Sequence, residues 1–312
     1  MKTILVTGGC GYKGSVLVPK LLAAGHHVTV IDTQWFGNFL KPHPHLTVHK
    51  MCVMDLQPEM VKNHDAIMHL SSVANDPCGD LNPKITWELN ALATMKLVDM
   101  AVRQNVPQFI YASSGSVYGV KEEENVTEDL ELIPLSEYNK TKMIAERILL
   151  SYKEQIKVQI LRPATVCGLS PRMRLDVAVN MLTMQALTRG EITILGGDQT
   201  RPNIHIEDIT DLYLFLLDHP QHVGIFNAGF ENISIMDIAK SVTKHIPAEL
   251  KVVASNDPRS YRISSQKLLD LGYKPKKTIQ NAIEEIAAAF KQGALKDEPH
   301  FYNLKWMQEA VL

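Results

Sequence analysis

A chain of 312 residues can bury one large core or two modest ones. Its 32 Lys and Arg against 34 Asp and Glu leave a formal net charge of -2, which gives no electrostatic reason to expect nucleic acid or an anionic membrane as partner. Hydrophobic residues at 45% and aromatics at 6% suit aliphatic strands packed by amphipathic helices.

The N-terminal MKTILVTGG is too short for a signal-peptide core and runs directly into glycines. No apolar run approaches the roughly 20 residues of a spanning helix, so the chain reads as soluble and cytoplasmic. Cys10, Cys52, Cys78 and Cys167 are widely spaced with no CxxC pair, so neither a zinc site nor a disulfide framework is indicated, and they read as small core or pocket residues. From the N-terminus, short β-branched runs alternate with longer amphipathic segments, the pattern of βαβ units and a parallel sheet. Strands are expected at 3–7, 27–31, 46–49, 66–70, 108–111 and 158–161, with a helix at 14–24 closed by Gly25. Two longer helices are expected at 83–104, with Pro83 at its start, and at 137–152, with Ser136 as N-cap. The fold class is α/β, a Rossmann-type doubly wound parallel sheet with a smaller mixed α/β C-terminal substrate lobe. The expected division puts 1–165 in the dinucleotide domain with 206–230 returning to it, and 166–205 with 231–312 in the second lobe.

Chemistry concentrates at three places. Thr7-Gly8-Gly9-Cys10-Gly11-Tyr12-Lys13-Gly14 stands between a strand and a helix, where glycines permit a sharp turn, close approach to a pyrophosphate and exposed helix N–H groups. A tight turn alone would also use glycines. Asp32 at the end of the second strand adds an acid at the distance suited to adenosine ribose hydroxyls, and no Arg follows it directly, which favours NAD over NADP. Tyr138 and Lys142 lie four apart on one helical face. A lysine and an oxidised nicotinamide beside Tyr138 would lower its phenol toward working pH, so that it takes a proton from a sugar hydroxyl while hydride leaves the same carbon. The turn Ser113-Ser114-Gly115-Ser116-Val117-Tyr118-Gly119 follows a parallel strand at the edge where such sheets bind ligands.

TGGxGYxG, Asp32, SSxSVYG and YxxxK stand in the order and spacing of the extended short-chain dehydrogenase/reductases, and the chain resembles the NAD-dependent nucleotide-sugar epimerase/dehydratase family among them. The likeness extends to His69-Leu70, Asn90, Leu161-Arg162-Pro163 and the segment from Arg201 to Asp208. It implies Tyr138 as base, Lys142 orienting it and binding the nicotinamide ribose, and Ser114 holding the substrate hydroxyl. It also implies an NAD surface of Gly8, Gly11, Tyr12, Lys13, Gly14, Asp32, Val53, Leu70, Ser71, Ser72, Asn90, Tyr138, Lys142 and Pro163. Ser114, Ser116, Asn180, Arg201 and Arg259 are the implied substrate contacts, the last three on the nucleotide diphosphate. No metal is expected. The partner implied is a GDP-, UDP- or dTDP-linked sugar, and the two long helices imply a homodimer through a four-helix bundle.

The chain also departs from the pattern. Cys52 replaces the acid that usually meets adenine, so that contact is either lost or taken over by backbone near Val53, and Cys167 stands where a Tyr is usual. Gly115 lies where sugar 4,6-dehydratases carry an Asp-Glu pair, so water elimination lacks its acid and base. WFGN at 35–38, SSVANDP at 71–77, SPRMRLD at 170–176 and YNLKWM at 302–307 resemble a bacterial GDP-manno-heptose subgroup that oxidises C4, which would place the product in a capsule or lipopolysaccharide sugar pathway. C4 oxidation is the leading expectation. The alternatives are a 4-epimerase with transient C4 oxidation, a non-catalytic NAD sensor, which need not retain Tyr138 and Lys142, and an assembly scaffold.

Overall fold

The structure, a computed structural model, describes residues 1–255 and 260–311. The first six strands form where the β-branched runs fall: β1 (Thr3–Thr7), β2 (His27–Asp32), β3 (Leu46–Lys50), β4 (Ala66–His69), β5 (Gln108–Ala112) and β6 (Lys157–Pro163). They are followed by β7 (Thr165–Cys167), β8 (Glu191–Leu195), β9 (Thr200–His205), β10 (Gly224–Ala228), β11 (Glu231–Ser234) and β12 (Glu249–Val253). Seven of these make one parallel sheet in the order β3-β2-β1-β4-β5-β6-β10, confirming the doubly wound class.

Alternation along the strands explains why helices cover both faces. Ile4, Val6, Val30, Met68 and Ile110 share one apolar cluster, while their neighbours Leu5, Ile31, Ile67, Phe109 and Tyr111 belong to another on the opposite side. Helix Gly14–Ala23 packs beside helix Ile206–Asp218 on the first face. On the second, the chain is helical over 83–103, with a π turn at Glu88–Leu92 interrupting the single α-helix that the periodicity predicts. Helix Glu137–Ser151 packs alongside it.

A third apolar cluster, including Val179, Leu182, Ile192, Ile238 and Ile283, gathers helices Ala178–Arg189, Ile235–His245 and Ile279–Lys291 around the β8–β12 pair. Between this cluster and the main sheet lies the small sheet β11-β9-β7. The last helix, Asn303–Ala310, returns to the first half of the chain: it packs on the short helix Asp76–Leu81, and Trp306 Nε1 donates to Trp35 O at 2.7 Å. Among the described residues, no helix is long and apolar enough to cross a membrane.

Candidate active site

In the sheet order β1 and β4 are neighbours while β2 and β3 run the other way, which opens a crevice at their C-terminal ends. A cavity of ≈ 590 Å³ occupies it. One wall is the glycine turn. Gly8 has φ +75, and a Cβ there would come within 2.6 Å of Ser71 N. A Cβ on Gly14 would meet the carbonyl oxygens of Gly8 and Gly9 at 2.5 Å, so only glycine lets helix Gly14–Ala23 begin against the turn. Asp32 braces the same wall, accepting from Cys10 N at 2.9 Å and Gln34 N at 2.7 Å. Gly11, Tyr12, Lys13, Cys52, Val53, Leu70, Ser71, Ser72 and Pro163 also line the cavity. The turn stripped of side chains, the helix start and the acid on the second strand together fit a dinucleotide.

The opposite wall is set by helix Glu137–Ser151. Ser136 Oγ caps it by accepting from Asn139 N at 3.2 Å, and donates to Asp76 Oδ1 at 2.5 Å. This fixes Tyr138 in the first turn, with Lys142 one turn on. Lys142 Nζ donates to Ala112 O at 2.8 Å and lies 5.9 Å from the centre of the Tyr138 ring. Ser114 Oγ sits 2.7 Å from Ser116 Oγ, which donates to Asn139 Oδ1. Burial pushes the Tyr138 phenol up to about 12, opposed by its hydrogen bond with Ser114 and by the Arg174 charge. Burial also holds Lys142 well below the ordinary lysine range, with repulsion from Lys13 adding to it and Glu146 opposing. A phenol beside a serine hydroxyl and a lysine can exchange a proton with a hydroxyl placed between them.

Two expected contact residues stand behind the wall. Asn90 lies in the π turn, where it accepts from Val73 N at 2.8 Å and donates to Val73 O at 3.1 Å and Thr141 Oγ1 at 3.1 Å. Asn180 accepts from Gly168 N at 3.0 Å and donates to Tyr12 OH at 3.0 Å and Arg174 O at 2.8 Å. Neither is among the residues that line the cavity, and each braces the segments it bonds. Arg201 does line it, and Arg259 lies outside the described residues. His69 is buried between Thr7 and Thr94, and burial, with Lys142 adding to it, lowers it to about 3, which keeps it a neutral strut.

Sequence reasoning did not assign Arg172, Arg174, Asp176, Asp76, Gln199 or Tyr261 to this surface, yet all line the cavity. Arg174 and Asp176 form a two-point ion pair at 2.8 and 3.0 Å. The available signal was the density of charge in SPRMRLD just after a strand of the smaller sheet.

Residues 4–229 match the NAD dependent epimerase/dehydratase family. The chain belongs to that family. Its members are enzymes, and NAD is the cofactor. The chain is 28% identical to a UDP-glucose 4-epimerase of Lactobacillus helveticus, over 92% of this chain and 96% of that one. Its fold is similar to a UDP-N-acetylglucosamine 4-epimerase from Methanobrevibacter ruminantium in complex with UDP-N-acetylmuramic acid, at TM-score 0.87 and 24% identity over 94% and 99% of the two chains. It is also similar to a UDP-glucuronic acid 4-epimerase from Bacillus cereus in complex with UDP-glucuronic acid and NAD, at TM-score 0.81 and 27% identity over 93% and 99%.

Proposed function

We propose that this chain oxidises the C4 hydroxyl of a nucleotide-linked sugar, with Tyr138 taking the hydroxyl proton, Lys142 orienting Tyr138 and Ser114 holding the reacting oxygen. Bound NAD supplies the oxidant. The observation that carries the reading is the convergence of Ser114, Tyr138 and Lys142 with the glycine turn and Asp32 on one cavity. Arg201, Gln199, Thr193 and Met181 extend that cavity toward the smaller lobe, where the sugar's nucleotide would lie. Water elimination is not part of the reading, because Gly115 and Ser116 supply neither the acid nor the base that it needs.

Names among the relatives favour a UDP-sugar and epimerisation, in which C4 is reduced again from the opposite face. Net C4 oxidation of a GDP-linked heptose is the second reading, favoured by SPRMRLD, whose Arg174 and Asp176 reach the cavity. Partly exposed Trp87, Leu92 and Met95 on the helical stretch 83–103 support pairing with a second copy of the chain, and a monomeric mass at micromolar concentration would sink that part of the reading.

The test is product mass and C4 configuration after incubation with NAD and a panel of UDP-, dTDP- and GDP-linked hexoses and heptoses. An unchanged mass with inverted C4 establishes epimerisation, and a loss of two hydrogens establishes net oxidation. Tyr138→Phe is expected to lower either rate at least about a hundredfold while the protein still melts as a folded chain. No conversion of any sugar by the wild type, or full rate in the variant, overturns the proposal; unchanged biological output of the variant would point to an NAD sensor instead.

A further inference from the structure

The loop that follows β7 carries a guanidinium to which none of the roles above gives a task. Ser170 Oγ lies 2.8 Å from Ser15 Oγ and donates to Tyr12 O at 2.9 Å, and Arg172 N donates to Ser15 Oγ at 3.4 Å. These bonds pin the loop directly onto the start of helix Gly14–Ala23, at the glycine turn. The Arg172 guanidinium lies over Phe36, 4.0 Å from the ring centre, on the stretch that follows Asp32. Its Nη2 donates to Asn303 Oδ1 at 2.6 Å and its Nη1 to Met173 O at 3.3 Å, but its Nε finds no acceptor among the described residues. Among the described residues no carboxylate stands within ion-pair distance of it, although the residue is only 2% exposed. Burial, with Arg174 adding repulsion, lowers the group to about 9.

A buried cation held by neutral acceptors alone, with one N–H unmet, is an arrangement that a folded chain keeps when a ligand supplies the missing anion. The candidate anions in this cavity are diphosphates, from the cofactor or from the nucleotide sugar. The position of Arg172 decides between them: it is tied to the helix that begins at the glycine turn and packs on the segment after Asp32, both features of the cofactor wall. We propose that Arg172 binds the diphosphate of the dinucleotide, braced by Phe36 and by Asn303 of the C-terminal helix. This rests on the family's use of NAD and adds a ligand that the glycine turn and Asp32 do not provide. It also brings the C-terminal helix into the cofactor site through Asn303.

The test is calorimetric titration of the full chain with NAD, ADP, adenosine, UDP and GDP, none of which requires turnover. Arg172→Gln is expected to weaken NAD and ADP at least about tenfold, the loss of a hydrogen bond to a charged group, and to leave adenosine, UDP and GDP unchanged. Arg172→Lys, which keeps the charge without the fork, is expected to fall between Gln and wild type. Asn303→Leu, which removes the brace and keeps the arginine, gives a smaller loss confined to the same two ligands and serves if position 172 does not tolerate change. Wild-type binding of NAD with unaltered binding in the variants overturns the role of Arg172 alone. Equal weakening of ADP and adenosine, or weakening of UDP or GDP in place of ADP, also overturns it. A wild type that binds neither NAD nor ADP removes the cofactor reading and this inference together.

Discussion

Replacing Glu146 by Leu is expected to destabilise the fold by about 4 kcal/mol, because it strips a buried guanidinium of the only carboxylate that pairs with it among the described residues. Arg162 Nε and Nη2 donate to the two oxygens of Glu146 at 2.9 and 2.6 Å, and Ser113 Oγ donates to the same carboxylate at 2.5 Å. The two side chains are 3% and 1% exposed, so water cannot take the place of the lost acceptor. With about 2.1 cal/mol/K of unfolding entropy per residue, a chain of this length has an unfolding entropy near 0.66 kcal/mol/K, and the loss becomes a fall in Tm of about 6 °C. Scanning calorimetry reads it. The companion variant Glu146→Leu with Arg162→Met removes both charges and leaves no orphan, so it should recover at least about half of the loss. The reasoning fails if the single variant melts within about 1 °C of wild type, or if the double variant melts as low as the single one.

Two further expectations follow from the site. Burial, with repulsion from Arg174, lowers Lys13 to about 8, and its ammonium makes no hydrogen bond or ion pair among the described residues. A phosphate beside it would favour the charged form, so below about pH 8 NAD affinity should be level, and above it binding must recapture a proton and weaken toward tenfold per pH unit. Lys13→Met should flatten that dependence in calorimetric titrations from pH 7 to 9.5; a level wild-type profile, or the same slope in the variant, would refute the link. The same shift makes the free fold gain stability between about pH 8 and 10.5, where the unfolded chain binds the proton that the folded one has lost. Gly79→Ala should lower kcat about tenfold or more, because its Cβ would sit 2.9 Å from Tyr138 Cβ and 3.1 Å from Tyr138 N, and the helix start that aims the phenol would have to shift. An unchanged kcat would show that the helix gives way without moving Tyr138.

Local rules made the first half of the chain legible. Strand and helix positions from Thr3 to Pro163 follow from period-two and period-3.6 patterns, and the boundaries move by only a residue or two. The π turn at Glu88–Leu92 was not readable, since it leaves no mark in a periodic pattern and depends on Asn90 finding Val73 and Thr141 across the fold. The glycine turn and Asp32 were legible because each adjoins its strand. Arg172, Arg174 and Asp176 were not, because their loop meets the cavity only after β7 joins β9. Likewise, nothing local distinguishes Asn180, which braces Tyr12 from behind, from an asparagine that touches ligand.

The charges around the cavity explain why its two ends belong together. Among the described lining residues Lys13, Lys142, Arg172, Arg174 and Arg201 stand against Asp32, Asp76 and Asp176. Arg174 has its partner in Asp176, and its guanidinium titrates above the ordinary range even though burial opposes the charge. Lys13, Lys142 and Arg172 are all shifted down, with burial the largest cause in each case. A cavity that depresses three bases at once is tuned for anions that it does not itself contain, because each anion that enters restores charge on the cations it meets. Burial is also what raises the phenol of Tyr138, and there the Ser114 hydrogen bond and the Arg174 charge oppose it.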